Sequence, residues 1–157
     1  MSEKPVRPIT PGQARILKPL MRLMSRANVW AYRASNGGVG AKFLGGAPVC
    51  LLTMTGRKSG RRLTTPLIYL PVGDDVILVA SQGGMEDHPV WYGNLLADPH
   101  VEIQWLGETR RMIARQASDE EKRGLWPQLL EVYPDFGDYQ RRTERNIPVM
   151  ICTPEAS

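Results

Sequence analysis

The sequence predicts a mainly β fold of the α+β class: a small antiparallel barrel, short helices outside it, and an amphipathic helix ahead of it. Three observations lead there. Short apolar, β-branched runs follow one another closely from residue 49 to residue 117, separated by turn residues such as Gly73-Asp74-Asp75 and Gly107-Glu108. Helical periodicity is confined to the first third of the chain, one short central segment and the region after Ser118. With 157 residues, 42% of them hydrophobic and 23% charged, the chain has the size and composition of one core-forming domain.

The elements follow in order. Residues 1–12, with Pro5, Pro8, Pro11 and Gly12, read as a flexible lead. From Gln13 to about Ala34 the pattern is helical. Arg15, Lys18, Arg22, Arg26 and Arg33 share one narrow stripe, while Ile16, Leu17, Leu20, Met21, Met24, Ala27, Trp30 and Ala31 take the other side. Pro19 either kinks this helix or marks where its regular part begins. The glycine-rich connector 35–48 contains Gly38-Val39-Gly40, but no strand precedes it and the third glycine is missing, so it is no dinucleotide fingerprint. Strands are expected at Val49–Thr55, Leu63–Val72 and Val76–Ser81, then a loop through Gln82-Gly83-Gly84. His88 to Ala97 reads as a short helix with Pro89 in its first turn. Two further strands, Val101–Leu106 and Thr109–Ala117, precede the capping box Ser118-Asp119-Glu120-Glu121, which opens a helix to about Tyr133. A helical or turn segment over Asp135–Arg142 and a last strand, Ile147–Thr153, complete the chain.

Charge is uneven. Residues 1–46 hold eight Lys/Arg against Glu3 alone, and the rest holds twelve against fifteen acids. Attraction to anionic surfaces therefore belongs to the N-terminal arm, and residues 13–34 form the kind of basic amphipathic helix that lies on anionic lipid. The competing expectation is that its apolar face packs on the domain or a second subunit. Nucleic-acid binding is not expected, because the stripe has only Trp30 and Tyr32 as nearby aromatics and no recognition motif. Cys50 and Cys152 give neither metal spacing nor a disulfide framework, and reduced, buried thiols are expected. No apolar stretch has the length of a membrane span or a secretory core, so the expected compartment is the cytoplasm, with peripheral contact at the inner face of the membrane.

The chemistry concentrates between the first two strands. Thr55-Gly56-Arg57-Lys58-Ser59-Gly60-Arg61-Arg62 is a turn bounded by glycines that carries four cations and a hydroxyl. Exposed amides beside Arg57, Lys58 and Ser59 would make a concave anion site, while the plainer alternative is a solvated basic hairpin.

Taken together, Thr55–Gly60, Pro66-Leu67, Ala80-Ser81 with Gly83-Gly84, Pro89-Val90-Trp91-Tyr92 with Asn94-Leu95, Asp98-Pro99, Trp126-Pro127, Tyr133-Pro134, Asp138-Tyr139 and Ile147-Pro148 form a familiar series. In order and spacing, across roughly residues 49–153, it resembles the deazaflavin-dependent nitroreductase family of mycobacteria and related actinobacteria, which uses coenzyme F420. The resemblance implies a split β-barrel of the FMN-binding type over residues 47–157, preceded by an arm, 1–46. It implies that Arg57, Lys58 and Ser59 hold the phosphate and polyglutamate tail of the coenzyme. Thr64, Thr65, Pro66 and Leu67 would line its ring and ribityl chain. Ser81 and Gln82 would meet the ring edge, and Val90, Trp91, Tyr92 and Asn94 would close the site. Tyr133 and Tyr139 would border the substrate pocket and, with Ser81, are the candidate proton donors. No metal is implied.

The expected reaction is hydride transfer from reduced F420 to an electron-poor acceptor: a quinone, an activated alkene or a nitroaromatic. Two departures bear on it. Nitroreductase-type members have tyrosine where this chain has Phe136, and similar members often have lysine at the position of Gln82; both favour quinone or enone reduction over nitroimidazole activation. The alternatives are an FMN-dependent split-barrel oxidoreductase and a non-catalytic F420-binding protein docked at the membrane. Oligomeric state is left open.

Overall fold

A computed structural model describes residues 7–34, 46–105 and 107–156. The glycine fingerprint considered at residues 38–40, the first half of the flexible lead and most of the glycine-rich connector lie outside the described residues, and the lead's last two residues, Pro11 and Gly12, already belong to the first helix. Helix α1 (Pro11–Ala34) leads into six strands: β1 (Val49–Thr55), β2 (Arg62–Val72), β3 (Asp75–Val79), β4 (His100–Trp105), β5 (Glu108–Gln116) and β6 (Val149–Pro154). They close into a barrel in the order β1-β2-β3-β6-β5-β4 with every neighbour antiparallel. Helix α2 (Val90–Ala97) bridges β3 to β4, and α3 (Asp119–Val132) and α4 (Asp135–Arg142) bridge β5 to β6. Strand ends differ from the sequence expectation by one or two residues. Pro89 stands just before α2 as its N-cap rather than inside the first turn.

Burial explains the strand sequences. Cys50, Leu52 and Met54 of β1 point into the barrel with Val76 and Leu78 of β3, Val101 and Ile103 of β4, Met112 and Ala114 of β5, and Met150 and Cys152 of β6. The intervening residues of β3 and β6 face outward, yet Ile77, Val79, Val149 and Ile151 are also buried, beneath Leu129 of α3, Tyr133 at the end of α3, and Phe136 of α4. Strands buried on both faces read as continuous apolar runs. Among the described residues no helix covers β5 in this way: Met112 and Ala114 are buried while Arg111, Ile113 and Arg115 are exposed, the alternation of a half-solvated strand. Both cysteines are free and buried in the barrel interior, where burial raises the Cys50 thiol and pushes the Cys152 thiol up to about 12.

Local signals act as the sequence suggested. The Ser118 hydroxyl accepts from the Glu121 amide at 3.1 Å, and the Glu121 carboxylate accepts from the Ser118 amide at 3.0 Å, a reciprocal cap for α3. The same carboxylate takes two hydrogen bonds of 2.8 Å from Arg115 on β5, which ties the helix start to the barrel. Pro19 does not break α1, which is continuous across it.

Helix α1 departs from the packing expected of an amphipathic helix. Tyr32 near its C-terminus is fully buried, and its hydroxyl donates to the Gln104 carbonyl at 3.4 Å. Arg33 donates to the Thr64 hydroxyl at 3.0 Å, and Lys18 pairs with Asp87 at 3.1 Å. Ile16, Leu20, Met24 and Trp30 of the apolar side, for which packing on the domain was one expectation, are exposed instead, as is Leu23. The reason is geometric: the helix is fixed by Tyr32 and by its cations, and these lie on other sides of the cylinder from that apolar stripe.

Candidate functional site

A cavity of about 580 Å3 opens between α1 and the barrel, within the roughly 300–1,000 Å3 usual for small-molecule sites. Its floor is β2, whose Leu63, Thr65 and Leu67 pair with Met54, Leu52 and Cys50 of β1, so the same stretch that fills the barrel also faces the cavity. The loop after β3 forms a second side through Ser81, Gln82 and Gly83, and α2 a third through Val90, Trp91 and Asn94. Tyr133, Phe136 and Tyr139 close one end, and Lys18, Arg22, Ser25, Arg26 and Asn28 of α1 make the wall opposite the barrel.

Most of the residues expected at the site therefore meet here: Thr64, Thr65, Pro66, Leu67, Ser81, Gln82, Val90, Trp91, Asn94, Tyr133 and Tyr139. Four do not line the cavity. Tyr92 donates to Gln116 at 2.7 Å and its ring lies 4.6 Å from that of His88. Arg57, Lys58 and Ser59 stand exposed on the turn between β1 and β2. That turn is closed by hydrogen bonds between the Gly56 amide and the Arg61 carbonyl and between the Gly60 amide and the Gly56 carbonyl, both 2.8 Å, with Gly60 at φ +69°. It is tied to the cavity indirectly: the Arg57 amide donates to Asn94 Oδ1 at 3.0 Å, and Asn94 is buried. The Arg57 side chain lies over Gly93 of α2, where a Cβ would sit 3.2 Å from the guanidinium carbon, so a larger residue there would push the guanidinium aside.

The loop on the second side is held from behind by two arginines that sequence reasoning missed. Arg145, half-buried, donates to the carbonyls of Met85 (2.8 Å), Ser81 (2.8 Å) and Ala80 (3.2 Å), and Arg142 donates to Gly83 at 3.0 Å. These bonds hold Gln82 in the left-handed region at φ 44°. Gly84 follows at φ +80°, and a Cβ there would lie 2.6 Å from the Tyr139 carbonyl, so α4 packs directly on the loop backbone. The fourth bond of Arg145 goes to His88 Nδ1 at 3.1 Å. A guanidinium only donates, so Nδ1 accepts and the imidazole proton sits on Nε2. Burial first, then Arg145, lower the His88 pKa against the opposing pull of Asp87, and the ring at the cavity edge is neutral. Neither arginine stood out among the cations of residues 141–145, because nothing local distinguishes a guanidinium that turns inward.

At the closed end the hydroxyls of Tyr133 and Tyr139 are 2.9 Å apart. Burial, and then the Tyr139 hydroxyl, raise the Tyr133 pKa, so that phenol keeps its proton, and either hydroxyl of the pair can donate to the other. Phe136, edge-on to Tyr133, adds apolar surface but no donor. Among the described residues no group of three His, Cys, Asp or Glu is placed to hold a metal ion.

Comparison with known proteins bears on this arrangement. The family model described as F420H(2)-dependent quinone reductase matches residues 24–154. An F420H(2)-dependent quinone reductase of Mycobacterium tuberculosis is 39% identical over 127 residues, which is 78% of this chain and 84% of that protein. A solved structure of an F420-H2 dependent reductase superposes with a TM-score of 0.63 at 38% identity, covering 67% of this chain and 93% of that one. A second, described as a domain-swapped dimer, also gives 0.63 at 38% identity, covering 67% and 79%. The barrel and the cavity residues on β2, α2 and the loop after β3 lie within the matched stretch, and the chain belongs to the F420H(2)-dependent quinone reductase family.

Proposed function

We infer that this chain is an oxidoreductase that reduces quinones with reduced coenzyme F420, and that the cavity between α1, β2 and α2 holds coenzyme and acceptor together. The observation that carries the assignment of the site is the meeting, around one space of about 580 Å3, of a β2 floor, a Trp91 wall and a pair of tyrosine hydroxyls. The residues fit the group. Apolar Pro66, Leu67 and Trp91 suit a flat ring, and Thr64, Thr65 and Ser81 offer hydroxyls to its polar edges. Arg57, Lys58 and Ser59 wait on the neighbouring turn for its phosphate. Asn28 Oδ1, buried on the cavity wall, has no hydrogen-bond partner among the described residues and is an acceptor available to a ligand's donor.

When bound, the reduced deazaflavin supplies a hydride. The protein's own contribution is placement and the handling of charge. Negative charge develops on the acceptor's oxygen, and the donors facing the cavity are the Ser81 hydroxyl and the Tyr133–Tyr139 pair. Tyr133 keeps its proton and Tyr139 shares the hydrogen bond, so this pair is our choice for holding the developing oxyanion, with Ser81 at the ring edge. Phe136 leaves that end less polar than a third tyrosine would, which suits a quinone.

The exposed apolar stripe of α1, flanked by its cations, supports a second proposal. Ile16, Leu23 and Trp30 are each about two-thirds exposed or more, and we propose that the arm of residues 1–46 rests through them on anionic lipid at the inner face of the cell membrane, while the barrel domain of residues 47–157 stays in the cytoplasm. Among the described residues no helix is long and apolar enough to cross a membrane. Leu23→Ser with Trp30→Ser should reduce sedimentation with anionic vesicles; unchanged sedimentation would remove the proposal.

The functional reading is tested by following the fluorescence of Trp91 during titration with oxidised F420 and, separately, with FMN, and then the oxidation of reduced F420 by a soluble quinone. Saturable quenching by F420 alone, with quinone-dependent oxidation, is expected. Quenching by FMN alone would replace the coenzyme, and F420 binding without turnover would make the chain a binding protein.

A further inference from the structure

The wall that α1 gives to the cavity carries more positive charge than the fold uses. The helix has no acidic residue, and five cations share one stripe along it. Lys18 is paired with Asp87 and Arg33 is bonded to Thr64. Arg22 and Arg26 line the cavity, yet neither has a hydrogen-bond or ion-pair partner among the described residues. Asn28 on the same wall has the orphaned Oδ1. A helix anchored by burial alone would turn its apolar stripe inward; this one keeps Ile16 and Leu23 outward and brings Arg22 and Arg26, together with Met21 and Met24, to the cavity. Arg22 and Arg26 are solvent-exposed, and an anionic ligand bound beside them would gain charge-assisted bonds from both.

The cavity also has a way out along these cations. A second, open groove of about 530 Å3 is lined by Arg26, Trp30, Arg33 and Thr64, and it shares Arg26 and Thr64 with the main cavity. From Arg22 through Arg26 to Arg33 the helix rises about 16 Å, so three guanidiniums mark a continuous track from the site to the surface. Arg57, Lys58 and Ser59 lie off both spaces, on the far side of Asn94.

We propose that Arg22, Arg26 and Arg33 of α1 form a track for the carboxylates of the coenzyme's glutamate tail, with Asn28 Oδ1 accepting a hydrogen bond from the coenzyme where the track begins. This rests on the F420 reading of the cavity and reassigns the tail: the basic turn keeps the phosphate, and α1 takes the chain of carboxylates. The consequence is selectivity for tail length, since each added glutamate can reach another guanidinium.

The experiment is equilibrium binding, by tryptophan quenching, of oxidised F420 with one glutamate and with five or more, to the full-length protein. The wild type should bind the long form more tightly. The triple variant Arg22→Ala, Arg26→Ala, Arg33→Ala should lose about tenfold in affinity for the long form, with little change for the short one, and the preference should fade with added salt. Restoring lysine at all three positions should recover part of the preference. Arg57→Ala with Lys58→Ala should weaken both forms alike. Equal affinity of the wild type for both forms, or a triple variant that keeps the preference, would overturn the track while leaving the site intact. So would unchanged coenzyme binding with a raised KM for an anionic quinone, which would assign the cations to the substrate. Failure of both forms to bind the wild type would instead remove the coenzyme reading itself.

Discussion

Helices α3 and α4 on one side and α1 on another meet the barrel in opposite ways. Leu129, Tyr133 and Phe136 press onto Ile77, Val79, Val149 and Ile151, and the polar faces of α3 and α4 look outward. Lys122 completes that interface: its ammonium donates to Gln140, Asn146 and the Ile147 carbonyl at 2.6–2.9 Å, which closes α3, α4 and the approach to β6 into one unit. Helix α1 meets the barrel through Tyr32 and a few polar links, and it leaves an apolar stripe in solvent. One side is built for stability. The other is built around a space, and its energy is left for whatever fills that space.

Substitutions should separate the two sides, in descending order of effect. Leu129→Ala opens a void beneath α3 and should cost about 2–5 kcal/mol, whereas Leu23→Ala on α1 should stay within about 0.5 kcal/mol. Denaturant midpoints measure both, and comparable losses would show that α1 is a packed core element after all. Arg145→Ala strips the donors from the carbonyls of Ala80, Ser81 and Met85 and should destabilise by about 1–3 kcal/mol. Because those carbonyls belong to the loop that presents Ser81 and Gln82 to the cavity, quinone reduction should fall by more than the loss of folded protein explains. Activity that tracks only the folded fraction would reduce Arg145 to a stabilising role. Ser118→Ala removes the α3 cap and should cost about 1 kcal/mol, read as a lowered Tm.

The same cap predicts a pH dependence. The Arg115 guanidinium, then the Ser118 amide, hold the Glu121 carboxyl down at about 2, below its ordinary value of 4.5. A carboxylate with a depressed folded-state pKa stabilises above the unfolded value, and that contribution is lost as pH falls through the folded one. Thermal unfolding of the wild type should therefore weaken between about pH 4.5 and 2 more steeply than that of Glu121→Gln, which has nothing to titrate there. Parallel pH profiles would dissociate the cap from the acid limb.

Legibility followed the range of the forces involved. The capping box at Ser118, the glycine-bounded turn at 56–60 and the alternation in β5 are local, and each was readable in the residues that make it. The series from Thr55 to Pro148 carried the family and, through it, most of the residues now found around the cavity. Arg145 and Arg142 were not readable, because a half-buried guanidinium reaching back some 60 residues leaves no trace in its own neighbourhood. The basic turn was readable as a cluster, but its position outside the cavity was not.

The sequence alone determined the order of strands and helices, the apolar filling of the barrel and the presence of a cationic stripe on α1, since period and composition are properties of neighbouring residues. Only the tertiary structure decided which way that stripe faces. A helix turns about its own axis at no cost in local hydrogen bonds, so its rotation is set by distant contacts, here Tyr32 against β4, Arg33 against Thr64 and Lys18 against Asp87. Those three contacts place Lys18, Arg22 and Arg26 at the cavity, with Met21 and Met24 beside them, and leave Ile16 and Leu23 in solvent.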